Sequence, residues 1–282
     1  MNNHLEEFEQ EEKLFKLTYL KAVCYIGIFI LGIIPAVIIR KGVLFSHLEK
    51  DTEKIILIIV NIIPFIITIL TAYWWSKSNK EPFRFNLTLS WKLIPVIFFL
   101  MINVMMLSSY TTTFIPHDSG RLKELYDVFE TAFKELMNPK WALIVSTCVF
   151  APIFEEVLFR GILLKGLINA SKNETQVWAA IFATSFVFGL IHGNPWQFAA
   201  AIIAGVALGY VYYRTKSLGN VIFMHALNNG ISVYILLEYE EMEPVYLSEY
   251  PEAYNLLFLL GYIIFMYLIY FFTKNNTSRS IL

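Results

Sequence analysis

Trp141-Ala-Leu-Ile-Val-Ser-Thr-Cys-Val-Phe-Ala-Pro-Ile-Phe-Glu155-Glu156-Val-Leu-Phe-Arg160-Gly-Ile-Leu-Leu164 is apolar enough and long enough to cross a bilayer, yet it carries three charges. A charged group at the bilayer centre costs roughly 2.5–3.5 kcal/mol even on a lenient insertion scale. Three of them facing lipid independently would cost about 7–10 kcal/mol. A span with that load must turn its charges toward protein or a wet cavity. This places the fold in the membrane and marks Glu155, Glu156 and Arg160 as a candidate functional cluster.

The rest of the chain agrees. Of 282 residues, 57% are hydrophobic and 16% charged, against about 25% charged in soluble domains. The apolar residues fall in blocks close to the roughly 20 residues that a hydrocarbon core of about 30 Å requires. Such blocks predict eight spans: Ala22–Ile39, Ile55–Trp75, Leu93–Ser109, Trp141–Leu164, Gln176–Ile191, Trp196–Tyr213, Val221–Leu237 and Leu256–Phe272. The expected fold is all-α, a polytopic membrane protein of about eight transmembrane helices plus one interfacial amphipathic helix, in a single domain over residues 1–282. The net charge of −1 gives no nucleic-acid footprint. Cys24 and Cys148 both lie in apolar spans, which argues against a disulfide framework and a cysteine zinc site.

Loop charge sets the expected orientation in the cell membrane. Glu238–Glu252 holds no Lys or Arg and should lie outside. The Lys165/Lys172 turn, the Arg214/Lys216 turn and the tail with Lys274 and Arg279 should then lie inside, which puts both termini in the cytoplasm. Arg40, Lys41, Lys50 and Lys54 form the one dissenting loop. Between the third and fourth spans, Leu122, Leu125, Phe129, Phe133 and Leu136 recur at helical spacing within Ser119–Asn138, with charges on the other face. That pattern predicts a helix lying at the interface, as a connector or as a lid or substrate-entry element.

Helical geometry divides the glutamates. Glu156 and Arg160 are four apart, acid first, the favourable order for an ion pair. Neighbouring residues point about 100° apart, so Glu155 faces elsewhere and is free to act as a general base for water. Two histidines lie in apolar helices. His192 ends Phe186-Val-Phe188-Gly-Leu-Ile-His192 before Gly193 and Pro195, and His225 is followed four residues on by Asn229. By rise per residue Glu155 and His192 lie at similar depths, about 22 and 25 Å from their inner helix ends, but His225 lies only about 12 Å from Ser217. A tilt, or a turn dipping into the bilayer, would bring His225 level.

Glu155-Glu156-x-x-x-Arg160, Phe188-x-x-x-His192 and His225-x-x-x-Asn229, in that order on successive membrane helices, resemble the CAAX-processing and bacteriocin-processing (CPBP, or Abi) intramembrane proteases. The resemblance covers approximately residues 141–237, the motif-bearing protease core. It implies that Glu155 activates the attacking water with help from His192. It implies also that Glu156 pairs with Arg160 behind the site, and that His225 and Asn229 donate to the oxyanion. The substrate implied is a membrane-associated peptide or protein within the lipid bilayer, of CAAX type or of bacteriocin- or peptide-maturation type.

Metal dependence stays open. Glu155, His192 and His225 could supply three zinc ligands and leave one open position. The zincin signature His-Glu-x-x-His is absent, and an asparagine one turn from His225 suits an oxyanion site. Glutamate-activated water without a metal or other cofactor is therefore preferred. The alternatives are a non-catalytic membrane immunity or scaffold protein, and a transporter using Glu and His as a proton path. No second copy of either polar motif marks the internal repeat that transporters often carry.

Overall fold

The computed structural model describes residues 14–44, 48–81, 84–239 and 252–277. Most of the acidic stretch used above for orientation, and Arg279, lie outside these residues. The described chain is helical and contains no strand. In order come α1 (Tyr19–Leu44), α2 (Lys50–Ser78), α3 (Ile94–Thr113) and the amphipathic α4 (Gly120–Leu136). After them come α5 (Lys140–Ala170), α6 (Glu174–Leu190), α7 (Pro195–Thr215), α8 (Leu218–Tyr239) and α9 (Glu252–Thr277).

Among the described residues, seven helices are long and apolar enough to cross a membrane: α1, α2, α3 with its preceding turn, α5, α7, α8 and α9. The eighth expected span falls on α6, which is equally apolar but has only 17 residues. Seventeen residues reach about 26 Å. Local signals cut α6 short. Gly193 takes a left-handed φ of 70°, and the Asn194 side chain accepts from the Gln197 N–H at 2.8 Å to open α7. Pro195 follows as the first residue of α7, where a missing N–H costs nothing. The His192–Pro195 stretch is therefore a hard corner, with His192 on its near side.

Helix α7 is the centre of the bundle, packing on α3, α6, α8 and α9. Its Ala201, Gly205, Ala207 and Gly209 let neighbouring backbones approach closely, as small residues do where lipid supplies no hydrophobic drive between helices. A Cβ on Gly205 would stand 2.9 Å from the Ser185 Cβ and 3.1 Å from its Cα. The core continues through Ile97, Leu100 and Met101 of α3 and Leu158, Ile162 and Leu164 of α5, all essentially inaccessible. Helices α1 and α9 are peripheral. Only 11% of the apolar stretch of α9 is fully buried in protein, and its outer face is an exposed apolar row that includes Leu256, Leu260, Ile263 and Tyr267. Arg214 anchors α9 to α7, bonding Thr273 Oγ1 at 3.1 Å and lying over the Tyr270 ring at 4.6 Å.

The α7–α8 turn answers the depth mismatch at His225. Ser217, Leu218, Asn220 and Val221 are at most 2% exposed. The segment 84–90 covers them: Asn86 O accepts from Leu218 N at 2.7 Å, and Asn220 Oδ1 accepts from Ser90 N at 2.8 Å. The turn is thus buried rather than surface-lying, and α8 begins deep enough to bring His225 level with Glu155.

The Gly205 contact gives a stability test. Gly205→Ala is expected to lower the thermal midpoint in detergent by an amount corresponding to about 1–3 kcal/mol of overpacking. Adding Ser185→Gly should restore part of it. A Gly205→Ala protein melting with wild type would refute this account of the α6–α7 contact.

Candidate active site

Helix α5 is not a uniform α-helix. Val145–Phe150 and Val157–Leu164 are wound as wider π turns, with α-helical Ala151–Glu156 between them. Such turns recur at functional sites, and here they flank the glutamate pair. Pro152 has no N–H to give. The Thr147 carbonyl, five residues back in the π register, therefore receives nothing from it and takes Asn229 Nδ2 of α8 instead, at 2.8 Å.

Glu156 and Arg160 form the expected ion pair, Arg160 Nη1 donating to Glu156 Oε1 at 2.9 Å. Both side chains are buried, at 0% and 1% exposure. Arg160 also donates from Nη2 to the Gly205 carbonyl of α7 at 3.1 Å, and its guanidinium lies 4.7 Å from the Phe188 ring centre. The Phe188 ring meets Phe159, His192 and His225 edge-on at centroid distances of 5.1, 5.0 and 5.8 Å. One aromatic side chain of α6 thus positions the arginine and both histidines.

The histidines are held differently. The His192 Nδ1 lies 2.7 Å from the Phe188 carbonyl. A carbonyl can only accept, so Nδ1 carries the proton, and in the neutral ring Nε2 is an acceptor. The His225 Nδ1 lies 2.8 Å from Glu156 Oε1, the same oxygen that takes Arg160. Its Nε2 stands 3.9 Å from Glu155 Oε2, beyond hydrogen-bond length. That Glu155 oxygen is buried and has no hydrogen-bond partner among the described residues. The link from His225 to Glu156 is absent from the sequence reading, because helical spacing cannot join residues 69 apart.

Glu155, Phe188, His192, His225, Asn228 and Asn229 all line one cavity of about 680 Å³. Apolar residues of α2, α3 and α7 supply most of its remaining wall, among them Phe65, Met101, Met105 and Leu208. On α4 the inward row is Leu122, Tyr126 and Phe129; Leu125, expected to face inward, is 38% exposed. The Phe133 and Leu136 side chains lie outside the described residues. Tyr126 and Phe129 reach the cavity, and Tyr126 packs edge-on against Trp196 at 5.0 Å. The amphipathic helix therefore covers the cavity and is more than a spacer.

Asn228, three residues after His225 and so on nearly the same face, is a cavity residue that the motif reading passes over. Its Nδ2 donates to Asn229 Oδ1 at 3.0 Å. With one N–H on Thr147, Asn229 keeps one amide proton to offer, and Asn228 keeps another. Among the described residues no three His, Cys, Asp or Glu side chains are arranged to hold a metal ion. As placed, Glu155, His192 and His225 do not close into a ligand set.

The family described as type II CAAX prenyl endopeptidase Rce1-like matches residues 137–231, which run from the start of α5 into α8. YaiF, a UPF0177 protein of Lactococcus lactis, is 26% identical over 218 residues, 72% of this chain and 91% of its own. YdiL of Bacillus subtilis, provisionally called a membrane peptidase, is 28% identical over 96 residues, covering 34% of this chain and 38% of its own. The membrane-embedded CAAX protease MroQ of Staphylococcus aureus is 32% identical over 114 residues, 39% of this chain and 44% of its own. This chain thus matches less than half the length of the last two. No solved structure matches it significantly. The family match spans the three helices whose polar motifs meet in the cavity, and with these relatives it supports the resemblance to membrane CAAX proteases that those motifs carry.

Proposed function

We propose that this protein is an intramembrane endopeptidase that cleaves a membrane-associated peptide or protein with water activated by Glu155. The observation that supports it most is the Glu155 Oε2 atom, buried without a partner among the described residues at the wall of a large, mostly apolar cavity. A desolvated carboxylate oxygen has to be employed or offset. A general base employs it. Glu155 takes a proton from water held also by the acceptor Nε2 of His192, and the resulting hydroxide attacks the scissile carbonyl carbon. The oxyanion is met by the spare amide N–H groups of Asn229 and Asn228, and by His225 Nε2 when that ring carries both protons. Collapse breaks the C–N bond as the proton held on Glu155 passes to the leaving amine. Glu156 and Arg160 touch no substrate in this scheme; they fix His225.

The apolar walls suit an extended apolar segment of CAAX type or of a maturing peptide. By loop charge, both termini face the cytoplasm. No step is assigned to a metal. The direct experiment is cleavage of membrane-inserted reporter peptides by the purified full-length protein in detergent; wild type that never cleaves any peptide containing an apolar segment would count against the reading.

The glutamates should separate. Glu155→Gln is expected to leave a folded protein with cleavage reduced about 10²–10⁴-fold. Glu156→Gln leaves Arg160 short of its buried partner, which costs about 3–5 kcal/mol, so yield and thermal midpoint should fall with activity. Melts and cleavage rates showing the reverse pattern would overturn the assignment.

Elemental analysis addresses the metal. Asn229→Ala and His225→Ala are each expected to slow turnover by about 10²–10³, the usual cost of one lost oxyanion donor, with no metal released by either. Stoichiometric zinc in the wild type, lost with His192→Ala or His225→Ala but retained in Asn229→Ala, would replace glutamate-activated water with a zinc mechanism.

A further inference from the structure

A second cavity, of about 230 Å³, lies at the opposite end of the bundle. Its position follows from the helices that build it. Lys165 is ten residues beyond Glu155 on α5, about 15 Å along the axis, and Lys216 and Leu218 precede His225. The cavity sits between the end of α5, the α7–α8 turn and the segment 84–90.

Its lining is cationic and polar on one side and apolar on the other. Lys165, Lys216 and Arg84 contribute positive charge, and Phe85, Ile168 and Leu218 contribute the apolar wall. Neither Lys165 nor Lys216 has a described carboxylate within ion-pairing distance. Lys165 instead gives a proton to the Arg84 carbonyl, and the Lys216 ammonium stands 4.7 Å from the Tyr213 ring centre. Tyr212 is only 6% exposed and lines the same cavity, and its hydroxyl has no hydrogen-bond partner among the described residues. The Lys216 ammonium is lowered to about 8, first by burial and then by Arg214, with Glu174 acting against it. Two lysines lining one small cavity with no described carboxylate in ion-pairing distance, beside an idle hydroxyl, are the chemistry of a site made for an anion.

We infer that this cavity binds a phosphate group, with Lys165, Lys216 and the Tyr212 hydroxyl as donors, and that an anionic phospholipid headgroup supplies it. The apolar wall is what favours lipid over free phosphate, because the glycerol and first methylenes need a surface to lie against. Lysines near anionic headgroups gain measurable affinity in this way. The bound lipid would clamp the segment 84–90 onto α5 and α8, and so hold the buried turn from which α8 starts.

The test uses full-length protein in neutral detergent. Native mass spectrometry would count dioleoylphosphatidylglycerol and dioleoylphosphatidylcholine retained by wild type, Lys165→Gln and Lys216→Gln. Wild type is expected to keep one phosphatidylglycerol in preference to phosphatidylcholine, and each variant should weaken that preference about fivefold. Lys216→Gln carries the result if Lys165→Gln fails to fold. Millimolar inorganic phosphate distinguishes the sources. Failure to displace the lipid supports a headgroup site, and displacement with an equal rise in wild-type melting temperature supports a free-phosphate site of the same chemistry. Equal retention of the two lipids by wild type, or a preference that survives in Lys216→Gln, would overturn the proposal. The cleavage assay is independent of either result.

Discussion

A guanidinium sealed from water must take all its partners from the protein, and Arg160 sets the terms for the helices around it. It draws a carboxylate from its own helix, a backbone carbonyl from α7 and an aromatic face from α6. Removing any one leaves a buried charge short of compensation, which is costly in low dielectric. The Glu156 oxygen that serves Arg160 also holds His225 of α8. Four helices are therefore joined through two side chains, and Glu155, left out of this network, faces the cavity with an oxygen to spare.

Small residues make that arrangement reachable. Gly205 gives Arg160 its carbonyl and gives α6 its close approach at the same position. A side chain there would push α6 away, and Phe188 would leave the guanidinium it covers. Specificity of packing and placement of charge are thus one requirement on α7, met by having no Cβ.

Much of this was legible in the sequence, and the limits are physical. Block hydropathy found all eight apolar helices, because a bilayer's thickness leaves little freedom in span length. Four-residue spacing found Glu156–Arg160, since both ends lie on one helix. What could not be read depends on how separate helices meet. The bond from His225 to Glu156, the Gly205 carbonyl under Arg160 and the contact of the Phe188 ring with His225 all cross between helices distant in sequence. The inward row of α4 was misjudged by one residue: an amphipathic pattern gives the width of an apolar face, not which edge of it packs, so Tyr126 rather than Leu125 points in. The π turns of α5 carried no sequence signal beyond Pro152. The dip of the α7–α8 turn needed the segment 84–90, which reads as an ordinary connector.

The missing hydrogen of Pro152 has a consequence of its own. It opens one carbonyl on α5, and the amide of Asn229 occupies it from α8. Helices α5 and α8 therefore carry two registration marks of different kinds, one ionic through Glu156 and His225 and one between neutral groups. The first draws its strength from charge, and the second does not. Helices α5 and α8 thus keep one point of alignment that owes nothing to charge, so whatever happens to the ionic mark need not become a change of shape.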